Sequence, residues 1–152
     1  MKAKATKPVV KRPPQHKGLK VLQQVEAHHE IISEYVTIAL QSQALFETPH
    51  PIKKIKGMQA FLTDRVIKHF AFEEESVYPK LQTSPSLVNR LKGEHQTMQS
   101  QVKSLQKKLN KMTASSSTKA WKELQASFGD LLRMLLAHTI REDVIYQKQQ
   151  AA

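Results

Sequence analysis

The sequence contains no cysteine and only four glycines among its 152 residues. Because thiolates are absent, disulfides, thiolate zinc sites and iron–sulfur clusters are excluded, and any bound metal must use nitrogen and oxygen ligands. The scarcity of glycine, together with long stretches rich in Leu, Gln, Lys and Glu, favours helix over sheet. No apolar run approaches the roughly 18 residues of a membrane-spanning helix. We therefore expect one cytoplasmic domain without a membrane span.

Acidic residues are absent from the start of the chain, where basic residues are concentrated. Residues 1–20 contain seven of the 24 basic residues and none of the 13 acidic ones, and Glu26 is the first carboxylate. This segment also contains Pro8, Pro13 and Pro14 and lacks the apolar region of a secretory signal. We interpret residues 1–19 as a disordered basic arm. Weak contact of residues 1–20 with nucleic acid or an acidic surface is the alternative to a solvated arm without a partner.

The rest of the chain shows helical periodicity and no sustained strand alternation. Apolar residues recur at three- and four-residue spacing, and Ser84 followed by Pro85 is typical of a helix start. Helices this long, joined by short loops, are typical of an antiparallel up-down-up-down bundle. The sequence therefore predicts an all-α four-helix bundle over residues 20–148, with helices at about 18–47, 52–81, 85–111 and 119–148.

Each predicted helix carries a histidine in its apolar stripe: His29, His69, His95 and His138. Glu73 and Glu142 follow two of these histidines by four residues, which places imidazole and carboxylate side by side on a helix. Burying a carboxylate without a partner costs several kcal/mol or more, so six ionisable groups in one core need a common reason. Two cations supply it, and four imidazoles with two carboxylates suit two iron ions, although manganese or a mixed pair accepts the same ligands. Histidines that lie in the core by coincidence are the competing interpretation.

His28 and His29 are adjacent, and only one of them can point fully into the bundle. His29 has apolar neighbours at the same offsets as His95, which favours it as the ligand. His28 is then expected to be exposed or to lie just outside the ligands.

Four segments of the sequence resemble the hemerythrin-like, or HHE cation-binding, family over roughly residues 20–148. They are His28-His29-Glu30-Ile31-Ile32, the His-Phe-x-x-Glu-Glu-x-x-x-Tyr-Pro stretch from His69 to Pro79, Glu94-His95, and His138-Thr-Ile-Arg-Glu142-Asp143-Val-Ile-Tyr146. The resemblance implies a four-helix bundle with a non-haem, oxo- or hydroxo-bridged di-iron centre. Its implied ligands are His29, His69, Glu73, His95, His138 and Glu142.

One departure from the family pattern bears on function. Oxygen-carrying hemerythrins usually have a fifth histidine four residues after the lone one on the third helix, and that position here is Gln99. The set is more similar to the family's stress-responsive branch, although the cysteine-bearing N-terminal segment common there is missing. We expect a di-iron protein that binds or reacts with O2, NO or peroxide in stress response, sensing or iron homeostasis. The alternatives are an O2 or iron storage module without catalysis, and a basic helical adaptor that binds nucleic acid through its tail.

Overall fold

Four long helices account for most of the part of the chain that the structure describes. The computed structural model describes residues 17–41 and 52–151. The first helix is Lys17–Gln41, the second covers residues 52–80, the third is Pro85–Asn110 and the fourth is Thr118–Ala151. Within these ranges there is no strand, and the predicted all-α four-helix bundle is confirmed. None of the described helices has both the length and the apolar composition that crossing a membrane requires.

Several helix boundaries agree with the sequence-based expectation. Ser84 caps the third helix, since its Oγ accepts a hydrogen bond from the backbone N–H of Leu87 at 3.3 Å, and Pro85 occupies the first helical position. The fourth helix ends at Ala151, three residues beyond the predicted end at Lys148. The first 16 residues of the predicted arm, and the predicted continuation of the first helix to residue 47, lie outside the described residues.

The second helix departs from regular α geometry at two places. It runs as α-helix over Ile52–Phe61 and Ile67–Phe72, with π-helical turns at Leu62–Val66 and Glu73–Val77 and a final 3₁₀ turn at Tyr78–Lys80. In each π turn a backbone N–H bonds five residues back, from Ile67 to Leu62 and from Tyr78 to Glu73. Each turn therefore accommodates an extra residue, and the first and last residues of each turn are buried, Leu62 and Val66 in the first turn and Glu73 and Val77 in the second.

The interior consists of two apolar clusters separated by a polar layer. Along every helix the buried residues change from apolar to polar and back to apolar, as in the first helix with Val25, His29 and Ile32. Among the residues that the structure describes, the larger cluster, here called the apolar half, holds 18 buried residues, including Phe128 and Trp121. The smaller cluster contains Val25, Val77, Tyr78, Leu91 and Tyr146.

One predicted core position on the fourth helix, Ile145, packs against the smaller cluster but is not the residue that is fully buried there. The periodicity places Ile145 in the buried stripe, but the structure leaves Ile145 half-buried and buries Tyr146 completely. Tyr146 lies four residues beyond Glu142, and its hydroxyl has a buried carboxylate to bond. A polar partner in the core therefore decides the position in favour of the tyrosine.

Candidate metal centre

The polar layer brings together the six side chains that the sequence singles out. Each is buried: Glu73, His95 and His138 are 0% exposed, Glu142 1%, His29 2% and His69 5%. They form two groups, each with ligand atoms within 4.8 Å of one another, and both groups contain Glu73 and Glu142. The first group adds His29 and His69, and the second adds His95 and His138. This geometry offers two adjacent cation positions that share the two carboxylates.

The imidazoles direct Nε2 towards the carboxylates. Glu73 lies at the centre, with Oε1 2.9 Å from His29 Nε2 and 3.2 Å from His69 Nε2, and Oε2 3.2 Å from His95 Nε2. Glu142 Oε1 lies 3.2 Å from His138 Nε2, and its Oε2 lies 3.4 Å from His29 Nε2. His28 does not join this set; its Nδ1 lies 3.2 Å from Nδ1 of His69, whereas Nε2 of His69 faces Glu73.

The layer leaves ligand atoms without hydrogen-bond partners. They are His69 Nε2, Glu73 Oε2, His138 Nε2 and Glu142 Oε2, all of which are buried. Some of these atoms lie 3.2 Å from a facing imidazole nitrogen or carboxylate oxygen but lack the alignment of a hydrogen bond. A buried polar atom without a partner is costly, whereas a cation between these atoms would satisfy all four. The residues present therefore fit a metal.

The close contacts in the layer shift the pKa values of His29 and Glu73 in opposite directions. Burial opposes charging of His29, but its close contacts with the carboxylates of Asp143, Glu142 and Glu73 outweigh burial and raise its pKa to about 11. Burial would likewise raise the pKa of Glu73, but the imidazoles of His29, His69 and His95 close to its carboxylate hold that pKa well below its usual value. Metal binding to these groups must therefore displace protons.

Three outer carboxylates hold the far nitrogen of three of the histidines. With Nε2 directed into the layer, Nδ1 carries the hydrogen and donates it outward. His29 Nδ1 donates to Asp143 at 2.6 Å and His95 Nδ1 to Glu74 at 2.9 Å. His138 Nδ1 donates to Glu94 at 2.6 Å, and Arg141 donates to the same Glu94 oxygen at 2.8 Å. These bonds fix the tautomer and the ring orientation of the three imidazoles.

Two tyrosine hydroxyls bond the shared carboxylates. Tyr146 donates to Glu73 Oε1 at 3.0 Å, and Tyr78 donates to Glu142 Oε1. Burial and the neighbouring Glu73 and Glu142 raise the pKa of Tyr146 above its ordinary value, so the hydroxyl keeps its proton. The chain has three tyrosines, and two of them bond the shared carboxylates. Tyr35 is not one of them, since it stacks on Phe61 in the apolar half with ring centroids 3.7 Å apart.

The outer carboxylates were not identified from the sequence as partners of particular histidines, although a signal exists. Each of them is adjacent in sequence to a residue of the inner set, as in the pairs Glu73–Glu74, Glu94–His95 and Glu142–Asp143. The helical period keeps Glu74 off the face of Glu73 and predicts that it is solvated or lies outside the ligands, and the structure places its carboxylate against His95 Nδ1. Two adjacent polar residues at the edge of a buried stripe therefore indicate one residue that faces the polar layer and one that bonds a histidine from outside it.

The fold and the site together define a class of protein: a four-helix bundle with a buried histidine–carboxylate cation site between two apolar clusters. Comparison with family models gives one match, the hemerythrin HHE cation binding domain, over residues 20–149. The chain belongs to this family. Comparison with curated proteins and with solved structures gives no significant match.

Proposed function

We propose that the protein is a non-haem di-iron protein of the cytoplasm that binds or reacts with O2, NO or peroxide, in stress response, sensing or iron homeostasis. The observation that carries the proposal is the pair of buried four-residue groups that share Glu73 and Glu142. The proposed ligands are His29, His69, Glu73, His95, His138 and Glu142.

The composition of each group favours iron. Each group offers two imidazoles together with carboxylates, the kind of set that binds non-haem ferrous iron and leaves positions open. Glu73 and Glu142 would contact both ions and offset their charge. Iron held here would supply an open coordination position and electron transfer between its ferrous and ferric states. Manganese accepts the same donors and is distinguished by elemental analysis.

The surrounding side chains bury the site and orient its ligands. His95 lies between two rings, stacked on Phe70 with centroids 4.0 Å apart and on Tyr78 at 5.6 Å. The tyrosine hydroxyls on Glu73 and Glu142 hold protons at the shared carboxylates. Interactions with charge in such a water-poor layer are stronger than in solvent. This chain therefore supplies orientation and exclusion of water, and the reactive chemistry belongs to the metals.

The proposal is tested by elemental analysis and an absorption spectrum of the freshly purified protein, followed by anaerobic loading with ferrous iron. We expect about two irons per chain. Glu73→Ala should lower the content towards one ion or none, because Glu73 belongs to both groups. Glu75→Ala is the matched control, since Glu75 is exposed two residues away and should leave the content at two. Full loading of Glu73→Ala, or a wild type that refuses iron, contradicts the proposal.

Oxygen cycling distinguishes reaction from storage. A spectrum that changes reversibly when oxygen is added and removed favours a storage module, whereas irreversible oxidation favours reaction or sensing. The same measurement with NO and with peroxide identifies the ligand class.

A further inference from the structure

We propose that His28 is a positioning residue for the metal ligand His69, and that the ion held by His29 and His69 is the more readily released of the two. The inference rests on the proposed two-metal function and goes beyond it, because it assigns a role to a residue outside the ligand set and makes the two metal positions unequal.

The outer groups of the polar layer follow a cyclic order around the bundle. Glu74 of the second helix holds His95 of the third, Glu94 of the third holds His138 of the fourth, and Asp143 of the fourth holds His29 of the first. Three helices thus each provide an outer carboxylate for the histidine of the next. The first helix is the one that has not yet contributed an outer group, and His69 of the second helix is the histidine that has no outer carboxylate.

His28 occupies that position. Its Nδ1 lies 3.2 Å from His69 Nδ1, the same nitrogen that donates to a carboxylate in the other three histidines. His28 is also adjacent in sequence to an inner residue, His29, as each outer carboxylate is. Its ring makes edge contacts with Phe72 at 5.1 Å and with His69 at 5.3 Å between centroids, which hold it in place.

The direction of the hydrogen bond follows from the ligand role of His69. If His69 Nε2 binds a metal, its Nδ1 must carry the hydrogen, and His28 Nδ1 must accept it. His28 then acts as a neutral acceptor, with its own hydrogen on Nε2. Charge-assisted hydrogen bonds are roughly twice as strong as neutral ones, and a carboxylate partner makes an imidazole a better metal ligand. His69 is therefore the least supported of the four histidines.

The surroundings of His69 also indicate that it is less well supported than the other histidines. A groove of about 230 Å³ between the first and second helices is lined by both His28 and His69, together with Ile31, Arg65 and other residues. Water in this groove can reach the outer side of the His28–His69 pair. The opposite histidines are covered more closely, since His95 lies between aromatic rings and the partner of His138 is held by Arg141.

The experiment is anaerobic release of iron from the ferrous-loaded protein to a colorimetric ferrous chelator in excess. The wild type should release its two ions in two phases, with the faster phase from the His29–His69 position. His28→Ala should accelerate the fast phase about tenfold, which is the smallest effect typical of losing such a partner, and should leave the slow phase within about twofold.

Two further substitutions at the same residue separate positioning from packing. His28→Asn keeps an acceptor near the position of Nδ1 and should release iron at nearly the wild-type rate. His28→Asp supplies the carboxylate that the other three histidines have and should slow the fast phase below that of the wild type. Thermal unfolding followed by circular dichroism checks that each variant is folded, which is expected because His28 is only partly buried.

Glu94→Gln provides the reciprocal control, since Glu94 holds His138 in the other group. It should accelerate the slow phase and leave the fast one. A wild type that binds two ions and releases them identically in all the His28 variants overturns the inference while the proposed function stands. A wild type that binds no metal overturns both.

Discussion

The two parts of the interior differ in what they need to be stable. The apolar half consists of 18 buried residues that satisfy one another by packing. The polar layer buries four imidazoles and two carboxylates and leaves four of their atoms without hydrogen-bond partners. Packed apolar groups need no further component, whereas buried ligand atoms are stabilised by what they bind. We therefore expect the apolar half to supply the stability of the fold and the polar layer to make part of that stability dependent on metal.

The largest effect is expected from a cavity in the apolar half. Phe128 is fully buried there, and Phe128→Ala should lower the free energy of unfolding by about 3–5 kcal/mol. Chemical denaturation measures the loss, and elemental analysis of the folded fraction should still find two ions per chain. A variant that loses its metal at temperatures where it remains folded would show that the two parts are not separable in this way.

Removal of metal is the next largest perturbation. A ligand present at 100 times its dissociation constant stabilises the folded state by about 2.7 kcal/mol, so removing a bound metal should lower the unfolding temperature. The metal-free protein should remain helical, because the apolar half does not depend on metal. Hydrogen exchange should increase around residues 69–78 and 138–146 more than around residues 124–135. Equal increases in both parts would contradict the comparison.

A pair of tyrosine substitutions sharpens the comparison at a single hydroxyl group. Tyr146→Phe removes the donor to Glu73 in the polar layer and should cost about 1.5 kcal/mol of unfolding free energy, the scale of a hydrogen bond to a charged group. Tyr35→Phe in the apolar half should stay within about 0.5 kcal/mol, since that ring is held by stacking on Phe61 and the substitution keeps the ring. Urea denaturation of both variants measures the two losses of unfolding free energy. Equal costs for the two would show that the hydroxyl in the polar layer has no special role.

The smallest effects concern the backbone and should be the same in both regions. Gly57 lies on the second helix near the apolar half and Gly93 on the third helix near the polar layer, and a Cβ at either position meets no atom within 4 Å. Gly57→Ala and Gly93→Ala should each stabilise the protein by about 0.5–1 kcal/mol, because alanine is the better helix former. Thermal unfolding tests this, and metal content should not change. A gain in stability at only one of the two positions would mean that the polar layer affects helix propensity as well as packing.

The inner residues were accessible to sequence reasoning because they share the period of the apolar stripe. His29 repeats the spacing of Val25, Ile32 and Val36 on its helix, so its burial follows once the helix is recognised. The preference for His29 over His28 as the inward-facing residue follows from the same period, and the structure places His29 in the cluster.

Other features depend on how the helices pack against one another. Each of the two π turns of the second helix adds one residue and shifts the faces of the helix that follow, and no local sequence motif predicts these turns. The exchange of Ile145 for Tyr146 as the buried residue depends on a carboxylate 73 residues away. Such contacts are fixed by the relative rotation and depth of two helices, which helical periodicity does not specify.

The sequence by itself determined the helical class, the apolar stripes and the set of six ionisable side chains within them, since all three follow from the period of a single helix. Only the tertiary structure decided which outer group holds which histidine, with Asp143, Glu74 and Glu94 serving three of them and His28 the fourth. The physical reason is the separation along the sequence of the residues that determine each property. Burial on a helix is a local property of residues three and four apart, whereas each of these hydrogen bonds joins residues at least 21 positions apart through the packing of two helices.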